Sequence, residues 1–135
     1  MDGGHSSIPE DILHLSSKTL RLSESLNGAL IFKKGLIDVI SNGNRTCLVS
    51  TPGSMKRCGG QGDVLAGMLG TFANYSYGES GCDLLTGAML ASMTTREAAR
   101  MAFEKRGHAL VTPDIIKEVG EGVIGQVYRL DHPES

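Results

Sequence analysis

No apolar run in this 135-residue chain reaches the roughly 18–20 residues that a membrane-crossing helix needs. Neither charge sign is in excess. Lys and Arg number 13 against 15 Asp and Glu, a formal net charge of -2. That balance argues against broad attraction to nucleic acid or to an anionic membrane surface, and leaves room only for a local cationic site. Cysteine is scarce and unpatterned: Cys47, Cys58 and Cys82 form no CxxC pair. An odd count without a secretory segment points to free thiols in a reducing compartment. The opening MDGGHSSIPEDILHL is acidic and polar, unlike a secretory signal or an Arg-rich transit peptide. His5, His14, His108 and His132 have no partner at zinc-ligand spacing. These absences describe a soluble, cytoplasmic chain with no nucleic-acid or membrane partner and no protein-held metal.

What is abundant is glycine, 18 residues against an average usage of about 7%. Around the glycines the chain reads as alternating elements, long enough for one domain or part of a larger one. Ser7, with Glu10 three residues on and Pro9 between, resembles a capping box. A helix of about 15 residues follows, with Ile12, Leu13, Leu15, Leu20 and Leu22 as its apolar surface. Asn27-Gly28 reads as a turn. Strand-like runs occupy 29–34, 37–41 and 45–51, and Asn42-Gly43 between the last two is a strong hairpin signal.

Residues 63–75 read as a helix containing Gly67 and Gly70, a cost that close packing of another backbone would explain. The segment 83–106 reads as the longest helix, opened by Asp83 and closed by Gly107. Met89, Met93 and Met101 mark its core face, and Glu97, Arg100, Glu104 and Lys105 its solvated face. Thr112 as cap and Pro113 at the first helical position open a last helix to about Tyr128. Three short strands followed by three helices make an α/β pattern with an incomplete sheet.

The stretch RCGGQGDVLAGMLG, 57–70, places Gly59, Gly60 and Gly62 where a loop enters a helix. The first N–H groups of a helix lack intrahelical partners and sit at the positive end of its dipole. Phosphate binds there readily, and glycines let it approach. Ser54, Lys56 and Arg57 add a hydroxyl and two cations. Asp63 has two readings: a helix cap, or a general base that takes the proton of a hydroxyl attacking phosphorus. The segment lacks the G-x-x-x-x-G-K-[ST] of a P-loop and the third glycine of a dinucleotide fingerprint. Lys33-Lys34-Gly35, with Asp38 close behind, is a second candidate, since ligands gather at strand carboxyl ends. A plain pair of surface lysines is the other reading.

Taken together, KKGLIDVISNGNRTCLVSTPGSMKRCGGQGDVLAG, 33–67, resembles the ATP-dependent (S)-NAD(P)H-hydrate dehydratases of the ribokinase-like superfamily. The KG-x-x-D segment, the I-S-N-G hairpin and R-C-G-G-Q-G-D carry the match, and GH-x-L-x-T-x-D-I-I-x-E-V-G extends it. The resemblance implies the C-terminal portion of a three-layer α/β/α fold. Residues 1–27 would be a tail and helix, 28–130 the partial carbohydrate-kinase-type domain, and 131–135 a tail. It implies ATP-driven repair of hydrated NADH and NADPH (NADHX and NADPHX), by phosphorylation of the added hydroxyl and loss of phosphate, with magnesium accompanying the nucleotide. Lys34, Gly35, Leu36, Ile37 and Asp38 would line the nucleotide site. Gly53, Ser54, Met55, Lys56, Arg57, Cys58, Gly59, Gly60, Gln61 and Gly62 would form its phosphate-facing loop. Asp63 would touch the hydrate and act as base.

Family members run to about twice this length or more, and their N-terminal half has no counterpart here. An inactive short form that only binds nucleotide, and a ribokinase-like kinase of a small alcohol, are the alternatives. Oligomeric state is open.

Overall fold

The structure, a computed structural model, describes residues 8–77 and 83–125. The chain divides after Ser50 into two compact units. In the first, helix α1 (Glu10–Ser25) starts behind Pro9, which occupies the cap position without a side-chain cap bond. Glu10 and Asp11 place negative charge at the positive end of the helix dipole. The expected capping box involves Ser7, which lies outside the described residues.

The buried face of α1 is small and polar. Thr19 donates to the Leu15 carbonyl at 2.8 Å, and Ser23 to the Ala29 carbonyl at 2.6 Å. Ile12, Leu15 and Leu20 are half-buried. Leu13 and Leu22, expected in the apolar surface, are instead about half exposed (50% and 49%). Strands of three or four residues cover only a narrow strip of the helix, centred on Thr19 and Ser23. Asn27 and Gly28, with φ of 56° and 79°, close the helix in the left-handed region that suits this turn.

Strands β1 (Ile31–Lys33), β2 (Asp38–Ser41) and β3 (Thr46–Val49) form one antiparallel sheet in that order. Ile31 pairs with Ser41 and Asp38 with Val49. β1 is shorter than the apolar run around it. β2 is buried along its length, with Val39 and Ile40 fully enclosed, as expected of the central strand. The hairpin signal holds. Asn42 Oδ1 accepts from the N–H groups of Asn44 (3.1 Å) and Arg45 (2.9 Å), and Gly43 takes φ of 84°.

The second unit is helical. α2 (Gln61–Ser76) packs on α3 (Leu84–Arg106). Asp83 caps α3 by accepting from Thr86 N–H at 2.7 Å, and Gly107 ends it at φ of 54°, as the sequence predicts. A 3₁₀ turn (Gly107–Ala109) leads to α4 (Thr112–Lys117). The expected continuous last helix stops there and widens into a π-helical turn over Glu118–Ile124; its expected end near Tyr128 lies outside the described residues. The core joins Ala98, Ala99, Ala102, Leu110 and Ile115, with Cys58, Val64, Phe103, Val119 and Val123 against it.

The α3 core face is alanine, not methionine. Ala88, Ala91, Ala98, Ala99 and Ala102 are buried, whereas Met93 is 40% exposed and Met89 and Met101 are half-buried. Small residues let neighbouring backbones close in and leave no room for a methionine row. On the opposite face Arg100 bridges Glu97 and Glu104. Hydrogen bonding from the Arg100 guanidinium holds the Glu97 carboxyl below its ordinary pKa, against the opposing effect of partial burial. Lys105, expected to be merely solvated, reaches Glu118 at 2.7 Å. Glu118 is buried, and its second oxygen has no partner among the described residues.

Glycines correct a second expectation. Gly67 and Gly70 have nothing within 4 Å of where a Cβ would stand, so no backbone packs on them. The close approach is at Gly87, where a Cβ would lie 2.5 Å from Ser76 Oγ and 3.1 Å from the Phe72 carbonyl oxygen. Gly70→Ala is therefore expected to raise stability by about 1 kcal/mol through helix propensity. Gly87→Ala is expected to lower it by about 1–3 kcal/mol through overpacking. Urea unfolding of the two variants checks the opposite signs.

Four α-helices and a three-stranded antiparallel sheet among the described residues are consistent with a partial α/β domain of the ribokinase-like type. No described helix is long and apolar enough to cross a membrane.

Candidate functional site

The glycine segment lies in the second unit. Upstream of it, Arg96 of α3 donates to the Thr51 carbonyl at 3.2 Å, and its side chain lies beside Gly53. Ser54 Oγ donates to the Lys56 carbonyl (2.6 Å) and accepts from Lys56 N–H (3.0 Å). The Lys56 ammonium donates to the carbonyls of His108 (2.5 Å) and Leu110 (3.1 Å). Gln61 Nε2 donates to the Lys56 carbonyl at 3.3 Å. Two of the three polar groups that the sequence singles out before the glycines thus hold the loop in shape. Arg57 and Met55 stay exposed. Cys58 is half-buried, with its sulfur 3.5 Å from Thr112 Oγ1. His108 has a structural place, its ring edge-on to Phe103 at 5.7 Å.

Gly60 is the residue on which the turn pivots. It sits at φ of 90° and ψ of -9° in the cap position of α2, where only glycine is unstrained. Its carbonyl accepts from the N–H groups of Asp63 (3.0 Å) and Val64 (3.1 Å). With no cap side chain, the foremost N–H groups of α2 are left for an outside acceptor. Asp63 is exposed on this first turn and makes no cap hydrogen bond. As the acidic residue of the first turn, Asp63 keeps the helix-end reading beside the base reading. Its charge still interacts favourably with the helix dipole, by about 0.3–1 kcal/mol, while its oxygens remain available.

Beside the turn lies a groove of about 370 Å³, lined by Gly60, Asp63, Val64, Gly67, Met68, Thr112, Ile116 and Val119. It explains why Gly67 is bare: a side chain there would project into the groove. Sequence reasoning named Gly60, Gly67, Asp63 and Thr112 for other reasons and missed Val64, Met68, Ile116 and Val119. The signal for the α2 wall was present, since Gly60, Asp63, Val64, Gly67 and Met68 follow the helical spacing of one face. Nothing in the sequence links that face to α4. Thr112, expected as the α4 cap, is instead its first residue, and Val111 takes the cap position. The Thr112 hydroxyl donates to the Gly59 carbonyl. The capping work falls to Asp114, whose carboxylate accepts from Val111 N–H at 3.1 Å.

The Lys34–Asp38 segment belongs to the first unit. Lys34 follows β1 and is exposed, as are Gly35 and Leu36. Ile37 is half-buried. Asp38 is buried and accepts from Gly35 N–H at 2.9 Å, closing the turn. A Cβ at Gly35 would stand 2.9 Å from the Ile37 carbonyl oxygen, so the turn requires glycine there.

Known proteins are similar to this chain in sequence. Residues 9–120 match the family model described as NAD(P)H-hydrate dehydratase. The ATP-dependent (S)-NAD(P)H-hydrate dehydratase of Mus musculus is 39% identical over 120 residues, covering 84% of this chain and 35% of that protein. The Homo sapiens protein of the same name is 36% identical over 118 residues, covering 83% and 34%. The Bos taurus protein is 41% identical over 109 residues, covering 75% and 32%. The chain thus spans about a third of the length of the curated relatives it matches. With more than half of its residues matched by the family model, the chain belongs to the NAD(P)H-hydrate dehydratase family.

Proposed function

We propose that this chain carries the nucleotide-binding loop and the proton-accepting carboxylate of an ATP-dependent dehydratase acting on hydrated NADH and NADPH. The observation that carries the reading is the left-handed Gly60 at the head of α2, with Asp63 exposed three residues on. In this reading the amides of Gly59 to Gly62 receive the phosphates of ATP, and exposed Arg57 adds charge. Ser54 and Lys56 act by holding the loop. The apolar wall formed by Val64, Met68, Ile116 and Val119 suits a flat ring such as the nucleotide base. Within the first unit, exposed Lys34 at the end of β1 is a separate candidate cation, and Asp38 keeps its own turn (Gly35, Leu36, Ile37) in shape.

Asp63 takes the proton from the hydroxyl of the hydrate while that oxygen bonds to the γ-phosphorus. The bond from phosphorus to the bridging oxygen breaks, and ADP leaves. The phosphate then departs with the electron pair of its C–O bond, and a ring proton is lost as the double bond re-forms. The products are NADPH (or NADH), ADP and phosphate. Magnesium is assigned as the companion of the nucleotide. When bound, it would offset the negative charge of the nucleotide's phosphates. A soluble repair enzyme of the cytoplasm is the setting we assign.

Incubating the 135-residue chain with hydrated NADPH, ATP and magnesium tests this. One ADP released per NADPH regenerated is the expected result. A second reading is favoured by the chain's spanning a third of its relatives' length: nucleotide binding without turnover. Calorimetric ATP binding with a silent assay selects that reading. Absence of both binding and turnover contradicts the proposal.

A further inference from the structure

Thr112 touches three consecutive residues of the glycine turn from 53 positions away in sequence. Its hydroxyl donates to the Gly59 carbonyl. Its oxygen lies 3.5 Å from Cys58 Sγ. At Gly60 a Cβ would meet Thr112 Oγ1 at 3.1 Å and Cγ2 at 3.2 Å. The bond to Gly59 has a geometric consequence. In a planar trans peptide, the carbonyl and the following N–H lie in one plane and point in opposite directions. No peptide in the described residues is cis. With its carbonyl drawn to Thr112, the 59–60 peptide turns the Gly60 N–H away from α4. The Gly60 φ of 90° then carries the chain from that peptide straight into the first turn of α2.

We infer that Thr112 is a positioning residue for phosphate recognition. It aims the Gly60 N–H by pinning the Gly59 carbonyl, and it acts on the ligand only through that peptide. The inference rests on the reading of the glycine turn as the phosphate seat. Lys56 complements it. Its ammonium ties the start of the loop to the His108 and Leu110 carbonyls, just before α4. The loop is thus fixed at two points by one connection, and the hydroxyl of Thr112 is the contact nearest the donors.

Three variants of the 135-residue chain test this: Thr112→Val, which keeps the shape and removes the donor; Thr112→Ala, which removes the donor without a branched side chain; and Thr112→Ser, which keeps the donor. Backbone amide order parameters at 59–62 are measured without ligand. Affinities for magnesium-ATP and for adenosine are measured by calorimetry. In Thr112→Val and Thr112→Ala the order parameters at 59–62 are expected to fall from about 0.85 to below about 0.6, with α3 unchanged. Their ATP affinity is expected to fall about 10-fold or more, with adenosine binding unaltered because adenosine has no phosphate to seat. Thr112→Ser restores both.

Wild-type rigidity and ATP affinity in the Val or Ala variant overturn the inference, as does a Ser variant that behaves like Val. A loop that loosens while ATP affinity stays constant has a different meaning. It upholds the pinning and overturns the phosphate seat, separating the two failures. If Thr112→Val does not fold, the comparison of Ala with Ser carries the same decision.

Discussion

Asp63→Asn is expected to lower turnover of hydrated NADPH by about 10²- to 10⁴-fold, the range a positioned general base supplies. The change is made in this chain and at the equivalent aspartate of a full-length relative. ATP affinity is expected to change little, because the amide keeps the size of the carboxylate and the phosphates are assigned to the backbone. The direction of any change in ATP affinity is toward tighter binding, since a negative charge near the phosphates is removed. The physical ground is the freedom of the Asp63 side chain: it is exposed at the third position of α2 and makes no cap hydrogen bond. A carboxylate serving only as a cap would donate stability instead. Its loss would then appear as about 0.5–2 kcal/mol in unfolding, with turnover unaffected. Steady-state kinetics beside urea unfolding separate the two roles.

Gly60→Ala is expected to abolish detectable ATP binding and to destabilise the second unit. Two costs coincide at this position. An L-residue at φ of 90° costs about 1–2 kcal/mol in backbone energy. Its Cβ would also stand 3.1 Å from Thr112 Oγ1 and 3.2 Å from Cγ2, and Thr112 is held in place by its bond to Gly59. Either the turn refolds or α4 moves, and each outcome disperses the amides that face the ligand. Gly59→Ala is the comparison. A Cβ at Gly59 meets nothing within 4 Å, so that variant is expected to fold as well as the parent. Calorimetric titration with ATP and thermal unfolding of both variants measure the contrast.

Much of the fold was legible because the signals are local. Asp83 and Gly107 bracket α3 by a cap hydrogen bond and a left-handed stop, both settled within a few residues. Asn42 folds its own hairpin turn through its side chain. The glycine turn could be placed before α2 for the same reason. What local sequence misjudged depends on partners far along the chain. Thr112 reads as a cap from its neighbour Pro113, yet its hydroxyl serves Gly59. Lys56 reads as a free cation until its ammonium is seen on the carbonyls of His108 and Leu110. The bare face of Gly67 and the crowded one of Gly87 exchange the roles the sequence suggests, because helix periodicity does not reveal which face meets a neighbour. The methionines of α3 yielded the core to alanines for the same reason. The π-helical turn after α4 accommodates the buried Glu118 against Lys105. Its tight fit at Gly122, where a Cβ would lie 2.6 Å from Glu118 Oε2, has no signature in spacing.

The central claim is that backbone amides around Gly60 hold the phosphates of a nucleotide. Titrating the isotopically labelled chain with magnesium-ATP, and following every backbone amide, tests it most directly. Saturable shifts greatest at Gly59, Gly60 and Gly62, reproduced by inorganic triphosphate and much smaller with adenosine, are the predicted result. Shifts that leave those three amides unmoved while ATP binds elsewhere would contradict the account.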